Sequence, residues 1–382
     1  MKKILCLLLA LTLLCGCGAG EPTPSTEPST QATQESAEET EESTENTEET
    51  EESSEATEGS MITEVLYTNP LTGEAMDEPS DNRPYCIMLN NSKAAMPQYG
   101  VGQADILYET LIEGETRCMG VYYDLEDVNA FGAIRSARKY FIQLAMGYDA
   151  VYVHAGRSDN EGIGAKQYFE ETGWDHIDGV HGPNAESYYY RDADRKAAGY
   201  SYEHTLFIKP QSIISYASKM GCTLTRDGGV EYGYQFDDDT VTVGSSAQEV
   251  TVWFNMSGAP SKWHKSTSFA YNADDKLYYA SQYGTEYVDG ATGQTLAFRN
   301  VLVLRTSVSV YDSQQGHLDI KTVGSGTGYY FCNGMMVEIE WSRESVYDPF
   351  TYTIKGSDTE LTFGVGKTYI ALVPNAAAVE YE

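Results

Sequence analysis

The sequence predicts an α/β N-terminal domain followed by a mostly-β C-terminal domain, both set behind a disordered acidic tether. Three observations carry this. Between Asp81 and about Gly221, short apolar runs alternate with segments of helical period. Beyond a Gly- and Asp-rich stretch, Asp227 to Asp239, short runs rich in Val, Thr, Tyr and Phe are separated by turn signals. Ahead of both, residues 18–60 are dominated by Glu, Ser, Thr and Pro.

Residues 1–17 come first. Lys2 and Lys3, an apolar stretch from Ile4 to Leu14 and then small residues form the pattern of a bacterial export signal. The stretch is short for a membrane span. Its end, Leu14-Cys15-Gly16-Cys17, resembles a lipobox, which makes Cys17 the expected diacylated first residue of the processed chain. Each buried CH₂ of an acyl chain contributes about 0.8 kcal/mol, so two chains hold far better than one. The expected location is the outer face of the cell membrane, with a lipid anchor as the membrane contact.

The tether, residues 18–60, has fourteen glutamates and no Lys or Arg. It cannot bury enough apolar surface to offset its chain entropy and is expected to be disordered. A flexible chain of this length spans on the order of 35 Å, and like-charge repulsion extends it. The whole chain carries a formal net charge of −32; the signal adds two positive charges and the tether fourteen negative ones, so residues 61–382 keep about −20. That excludes broad nucleic-acid binding, which needs a basic face to neutralise phosphates.

Within residues 61–225, "YCIML" (85–89), "ADILYETLI" (104–112), "RCMGVYY" (117–123) and "DAVYVHAG" (149–156) read as strands. Ser136 to Met146 places Tyr140, Phe141, Leu144 and Ala145 on one helical face. A second helix runs over 210–221, with Pro210 at its start and Gly221 past its end. Within residues 240–382 the strands are "EVTVWF" (249–254), "NVLVLRT" (300–306), "GYYFCN" (328–333), "MVEIEW" (336–341) and "TYIALV" (368–373). Four cysteines follow the signal, Cys86, Cys118, Cys222 and Cys332, without C-x-x-C spacing or a His at metal-ligand distance. They read as buried thiols, with disulfides open to an exported protein.

Chemistry concentrates in one place. Six of the eleven arginines lie between residues 117 and 195: Arg117, Arg135, Arg138, Arg157, Arg191 and Arg195. Lys139, Lys196, His154, His181 and His204 fall in or near the same span. Arg135 and Ser136 stand where a loop enters a helix, whose N-terminus offers free N–H groups to an anion. His154 and Arg157 follow the end of a strand, where ligands of open α/β sheets collect. The expectation is an anion pocket, for which the planar fork of arginine is suited. The competing reading is surface pairing with carboxylates, since Arg135 to His204 holds eleven acids against eight Lys and Arg; Asp149, Asp192 and Asp194 are the candidate partners.

The stretches "NRPYCIMLNNSKAAMPQYGVGQADILYET", "AIRSARKYFIQLAMGYDAVYVHAG", "YYYRDADRKAA", "HLDIKTVGSGTGYYFCNG" and "VGKTYIALVP" resemble, in order, the motifs of the YerB-type bacterial lipoprotein family. The resemblance covers most of residues 67 to 375. It implies a two-domain exported lipoprotein with paired N- and C-terminal domains, and it brings no established activity. Carried over residue by residue, it points to Asn90, Asn91, Asp105, Glu109, Arg117, Arg135, Ser136, Arg138, His154, Arg191, Arg195 and Lys196. Arg157 stands where the family has a glycine, and seven residues separate Lys196 from His204, a longer loop than the family's Arg-Lys-x-Pro-His-Asn.

Three functions follow. The first is binding, or transfer, of an anionic cell-envelope ligand such as a lipid-linked phosphoglycan or a peptidoglycan fragment. Here Asp105 and Glu109, on one strand face, are the candidate ligands of a divalent cation beside the arginines. The second is a non-catalytic module whose β-rich half grips an envelope protein or a glycan, with thirty tyrosines offering amphipathic contact area. The third is a serine acyl enzyme: Ser136 and Lys139 satisfy S-x-x-K and Ser158-Asp159-Asn160 matches S-D-N. No K-T-G follows, and a chain with this many serines and lysines carries S-x-x-K by chance.

Overall fold

The computed structural model describes residues 67–382, apart from 161–162, 227–230, 242, 258–259 and 262–263. The export signal, Cys17 and the tether lie outside the described residues. The described residues form one compact unit.

In chain order the strands that matter are β1 (Tyr85–Asn90), β2 (Ile106–Leu111), β3 (Thr116–Tyr122), β4 (Val151–His154), β5 (His176–Asp178), β6 (Glu249–Phe254), β7 (Lys265–Asn272), β8 (Leu277–Gln282), β9 (Asn300–Thr306), β10 (Gly324–Cys332), β11 (Met335–Arg343), β12 (Thr368–Pro374) and β13 (Val379–Tyr381). The helices are α1 (Lys139–Met146), α2 (Ala165–Thr172), α3 (Ala193–Ala197) and α4 (Pro210–Met220). All α-helices among the described residues thus precede Gly221, and every described residue from Gln235 onward is in strand, turn or loop. This is the mixed first half and β-rich second half that the sequence predicts.

The two halves share a sheet. Eleven strands run in the order Ser245–Ser246, β11, β10, β9, β12, β2, β3, β1, β4, β5, with Thr351–Ile354 beside β11. β12, near the C-terminus, inserts between β9 and β2 and is parallel to both. β1, β4 and β5 are parallel neighbours whose crossovers pass through α1 and α2. β1, β2, β3 and β12 are buried along their whole length, which fits their near-continuous apolar character and a sheet covered on both faces.

A second sheet covers one of those faces. It runs Thr285–Glu286, β8, β7, β6, β13, with Ala297–Phe298 beside β8. β6 alternates buried and part-exposed residues, the signature of a half-buried strand. Phe269 from β7 and Phe298 pack on Tyr369 of β12, with ring centroids 4.8 and 5.5 Å apart. Between the sheets lies a buried charge pair, Glu109 of β2 and Lys265 of β7, 2.9 Å apart.

Local chemistry explains most of the boundaries. α4 begins at Pro210 and ends on Gly221, whose φ of 82° is the left-handed conformation that glycine adopts freely. The β10–β11 hairpin turns on Asn333-Gly334, both at positive φ, as a two-residue turn of the strand-matched hand requires. α1 departs from expectation and starts at Lys139 rather than Ser136. The cause is backbone hydrogen bonding: Arg135 N donates to Met88 O and Ala137 N to Gly156 O, so this segment is held in sheet-like pairing before the helix begins.

Candidate functional site

The arginine knot is assembled from three elements. β3 supplies Arg117, directly opposite Asn90 of β1. The extended segment before α1 supplies Arg135 and Ser136, and Arg138 caps α1. Arg117 is buried, 3% exposed, and its Nη1 donates to Ser136 O at 2.6 Å. Among the described residues no carboxylate oxygen lies within 4.0 Å of its guanidinium. Burial, reinforced by the positive charges of Arg138 and Arg135, pushes its pKa down to about 9. Arginine is ordinarily charged well beyond that; burial first, and like-charged neighbours second, outweigh the opposing field of Glu113.

The neighbouring arginines differ in their partners. Arg138 makes a bidentate pair with Glu113, Nε and Nη2 each donating at 2.7 Å. Burial works against its charge, but Glu113 outweighs that and holds its pKa above the ordinary value. Among the described residues, Arg135 meets one carboxylate, the exposed one of Glu203 at 3.5 Å, and its buried Nε has no hydrogen-bond partner. Asn90 and His204 adjoin it, with Asn90 Nδ2 2.8 Å from His204 Nδ1. Burial lowers the His204 pKa, followed in effect by the opposing charge of Glu203 and the like charge of Arg135.

A hairpin from the β-rich half, Val308–Asp312 with His317–Ile320, reaches the same place. Its His317 stands 3.7 Å from Glu113 and 3.7 Å from Asp312. Asn160 Nδ2 donates to Asp312 at 2.7 Å. Glu113, Glu203, Asp312 and His317 were not among the residues that the sequence pointed to. Glu113 was findable, since it sits in the turn between two evident strands at the end that carries Arg117. The hairpin is legible as alternating strands around a Gly-containing turn; that it lands on the knot is not.

Other predicted site residues go elsewhere. His154 is fully buried at the end of β4, bonded to Gly156 O and to His176 Nδ1, each at 2.9 Å, and stacked on Phe169. Burial lowers its pKa, and burial together with His154 takes that of His176 down to about 3, so the pair is neutral. Asp178 accepts the N–H groups of Gly156 and Val180 beside them and stands 3.5 Å from Arg157. Arg195 is buried with its donors spent on the carbonyls of Ala95, Pro97 and His204, and Asp192 caps its helix. Arg191 lies over the Tyr202 ring, 3.7 Å from its centroid, and Lys196 is exposed. Asp149 pairs with Arg83, outside the knot.

The expected divalent pair is not brought together. Asp105 and Glu109 alternate onto one face, but they stand four positions apart along extended chain, roughly 13 Å. Asp105 accepts from Asn69 and from Tyr123 N, and burial raises its pKa to about 6. Glu109 is saturated by Lys265, Asn91, Thr116, Thr267 and Tyr369. No group of three or more His, Cys, Asp or Glu that could hold a metal ion occurs among the described residues. The S-x-x-K geometry is also absent: Ser136 lies outside α1, and Lys139 Nζ is 5.3 Å over the Tyr168 ring. All four described cysteines are buried free thiols.

Comparison with known proteins places this architecture. Residues 71–223 match the family described as "Protein of unknown function (DUF3048) N-terminal domain", and residues 259–370 match its C-terminal domain. The YerB protein of Bacillus subtilis (strain 168), which carries the name of a lipoprotein, is 28% identical over 316 residues, 81% of this chain and 87% of that one. The crystal structure of YerB from Bacillus subtilis superposes with a TM-score of 0.68 at 26% identity, covering 82% of this chain and 99% of that one. With both domains matched in order, and a solved relative spanning the same unit, the chain belongs to the DUF3048 family.

Proposed function

We propose that this chain is a lipid-anchored protein on the outer face of the cell membrane, and that its arginine knot binds an anionic cell-envelope molecule. The anchor rests on the lipobox ending at Cys17 and on similarity to a relative with a lipoprotein name. The binding reading rests on one observation: Arg117 is a buried guanidinium without a carboxylate in ion-pair reach among the described residues, set beside Arg135, whose buried Nε has no hydrogen-bond partner. Glu113 offsets the Arg117 charge only in part; a buried charge without a close partner is costly, and an incoming phosphate or carboxylate would supply one. Arg138 is already neutralised by Glu113 and serves to position the loop. Lipid-linked phosphoglycans and peptidoglycan stem carboxylates have the required chemistry.

Calorimetry on the compact unit, residues 63–382, tests this with pyrophosphate, undecaprenyl pyrophosphate and a muropeptide as probes, at low and high salt. One of them should bind, more weakly at high salt, and Arg135→Ala should lose about tenfold or more in affinity while remaining folded. No binding by any probe, or binding that Arg135→Ala leaves unchanged, would sink the reading.

A further inference from the structure

A second candidate site lies beside the β2–β3 turn whose Glu113 belongs to the arginine knot. Two adjoining clefts, of about 640 and 320 Å³, share Lys93 and Tyr283 in their walls and lie between the loop after β1 and the tip of the β8 hairpin. Trp253 and Tyr283 give the larger cleft its aromatic surface; Met96, Pro97 and Val288 line the smaller.

Two features set this groove apart from incidental surface. The first is polar atoms without partners. Gln282 Oε1 and His264 Nδ1 are buried, belong to residues that line the groove, and have no hydrogen-bond partner among the described residues. Gln282 uses the other end of its amide on Met96 Sδ. Buried polar groups are ordinarily paired, so two orphans in one groove call for a ligand.

The second is Tyr283. It occupies the first position of a two-residue turn with φ of 55°, followed by Gly284 at 81°. Asn or Gly fills that position without strain, and a ring does not. The ring is nonetheless fixed, its hydroxyl on Asn91 O and Lys265 Nζ 5.2 Å from its centroid. Strain retained where a side chain is aimed into a cleft is a mark of function.

We propose that this groove binds a neutral oligosaccharide. Lys265 is neutralised by Glu109, so the wall keeps Lys93 against Glu115 and Glu286, which disfavours an anion as the ligand. Aromatic faces receive the C–H faces of sugar rings, and amide and imidazole groups meet their hydroxyls. The two sites share the β2–β3 turn, with Glu113 in the knot and Gly114 and Glu115 in the groove, and differ in the salt response expected of them.

The test is calorimetry on the full chain in detergent with chitopentaose, cellopentaose and maltopentaose, and with penta-alanine as the peptide comparison. At least one sugar should bind with affinity unchanged by salt. Tyr283→Asn, which suits the turn, and Thr285→Arg, on the exposed rim, should each weaken binding by about tenfold with melting temperature kept. If Tyr283→Asn fails to fold, Thr285→Arg alone decides. Absence of sugar binding at about 10 mM, binding that Thr285→Arg leaves intact, or binding of penta-alanine alone overturns the proposal.

Discussion

Glu109 and Lys265 show what single residues decide here. Glu109 is wholly buried, and burial alone would raise its pKa; Lys265, Thr116 and Tyr369 overcome that and hold it below the ordinary carboxylate value. Removing one partner leaves the other charge buried and unpaired, so Glu109→Gln and Lys265→Met should each cost about 3–5 kcal/mol, read by urea unfolding. Replacing both with apolar residues should cost less than the sum.

Two buried carboxylates respond to pH in opposite senses. The depressed pKa of Glu109 means that its contribution is present above the unfolded value and is lost as pH falls through the folded one. Asp105 is the reverse: with its pKa raised to about 6, its contribution is full below the unfolded value and is lost as pH rises through 6. Between about pH 4 and pH 6 this fall opposes the rise from His154 and His176, whose lowered pKa values keep them neutral in the folded state while the unfolded chain takes up protons. Asp105→Asn should therefore steepen the rise of melting temperature with pH over this window, and an unchanged slope would show that Asp105 does not titrate there.

At the scale of elements, turns and close approaches set stability. Lys276 closes the β7–β8 hairpin at φ of 61°, exposed to solvent. Lys276→Gly should stabilise by about 0.5–1 kcal/mol, because the left-handed cost of a side chain outweighs the extra backbone entropy of glycine. Gly328 of β10 has the opposite character: a Cβ there would stand 2.3 Å from Val303 O of β9. Gly328→Ala should destabilise by about 1–3 kcal/mol through forced strand separation. Both changes are measurable by thermal unfolding. α1 belongs to this scale too, since its apolar face was evident, whereas the hydrogen bonds that delay its start come from β1 and the Gly156 loop.

At the scale of the molecule, the central sheet ties the halves together. β2 pairs with β3 on one side and with β12 on the other. A chain ending near residue 225 would expose the β2 edge and leave Glu109 without Lys265. Such a fragment should be insoluble or lack cooperative unfolding, whereas residues 63–382 should unfold in one transition by circular dichroism. A soluble, cooperatively folding fragment would show that the first half stands alone.

The sequence by itself determined the elements and their class: the strands at 85–90, 249–254, 300–306 and 368–374 and the helix from Pro210 are local patterns of apolar period, turn residues and caps. It also determined that Arg117, Arg135 and Arg138 are concentrated in one span, and it carried the family resemblance. What only the tertiary structure decided is which charges meet. Arg195 has carbonyl partners about a hundred residues away, Asp105 and Glu109 part along their strand, and Glu113, not Asp149 or Asp192, neutralises Arg138. Local sequence sets backbone preference and burial tendency over a few residues; the pairing of distant strands is set by the summed packing of whole faces. That packing alone brings Lys265 to Glu109, β12 to β2 and His317 to the arginine knot.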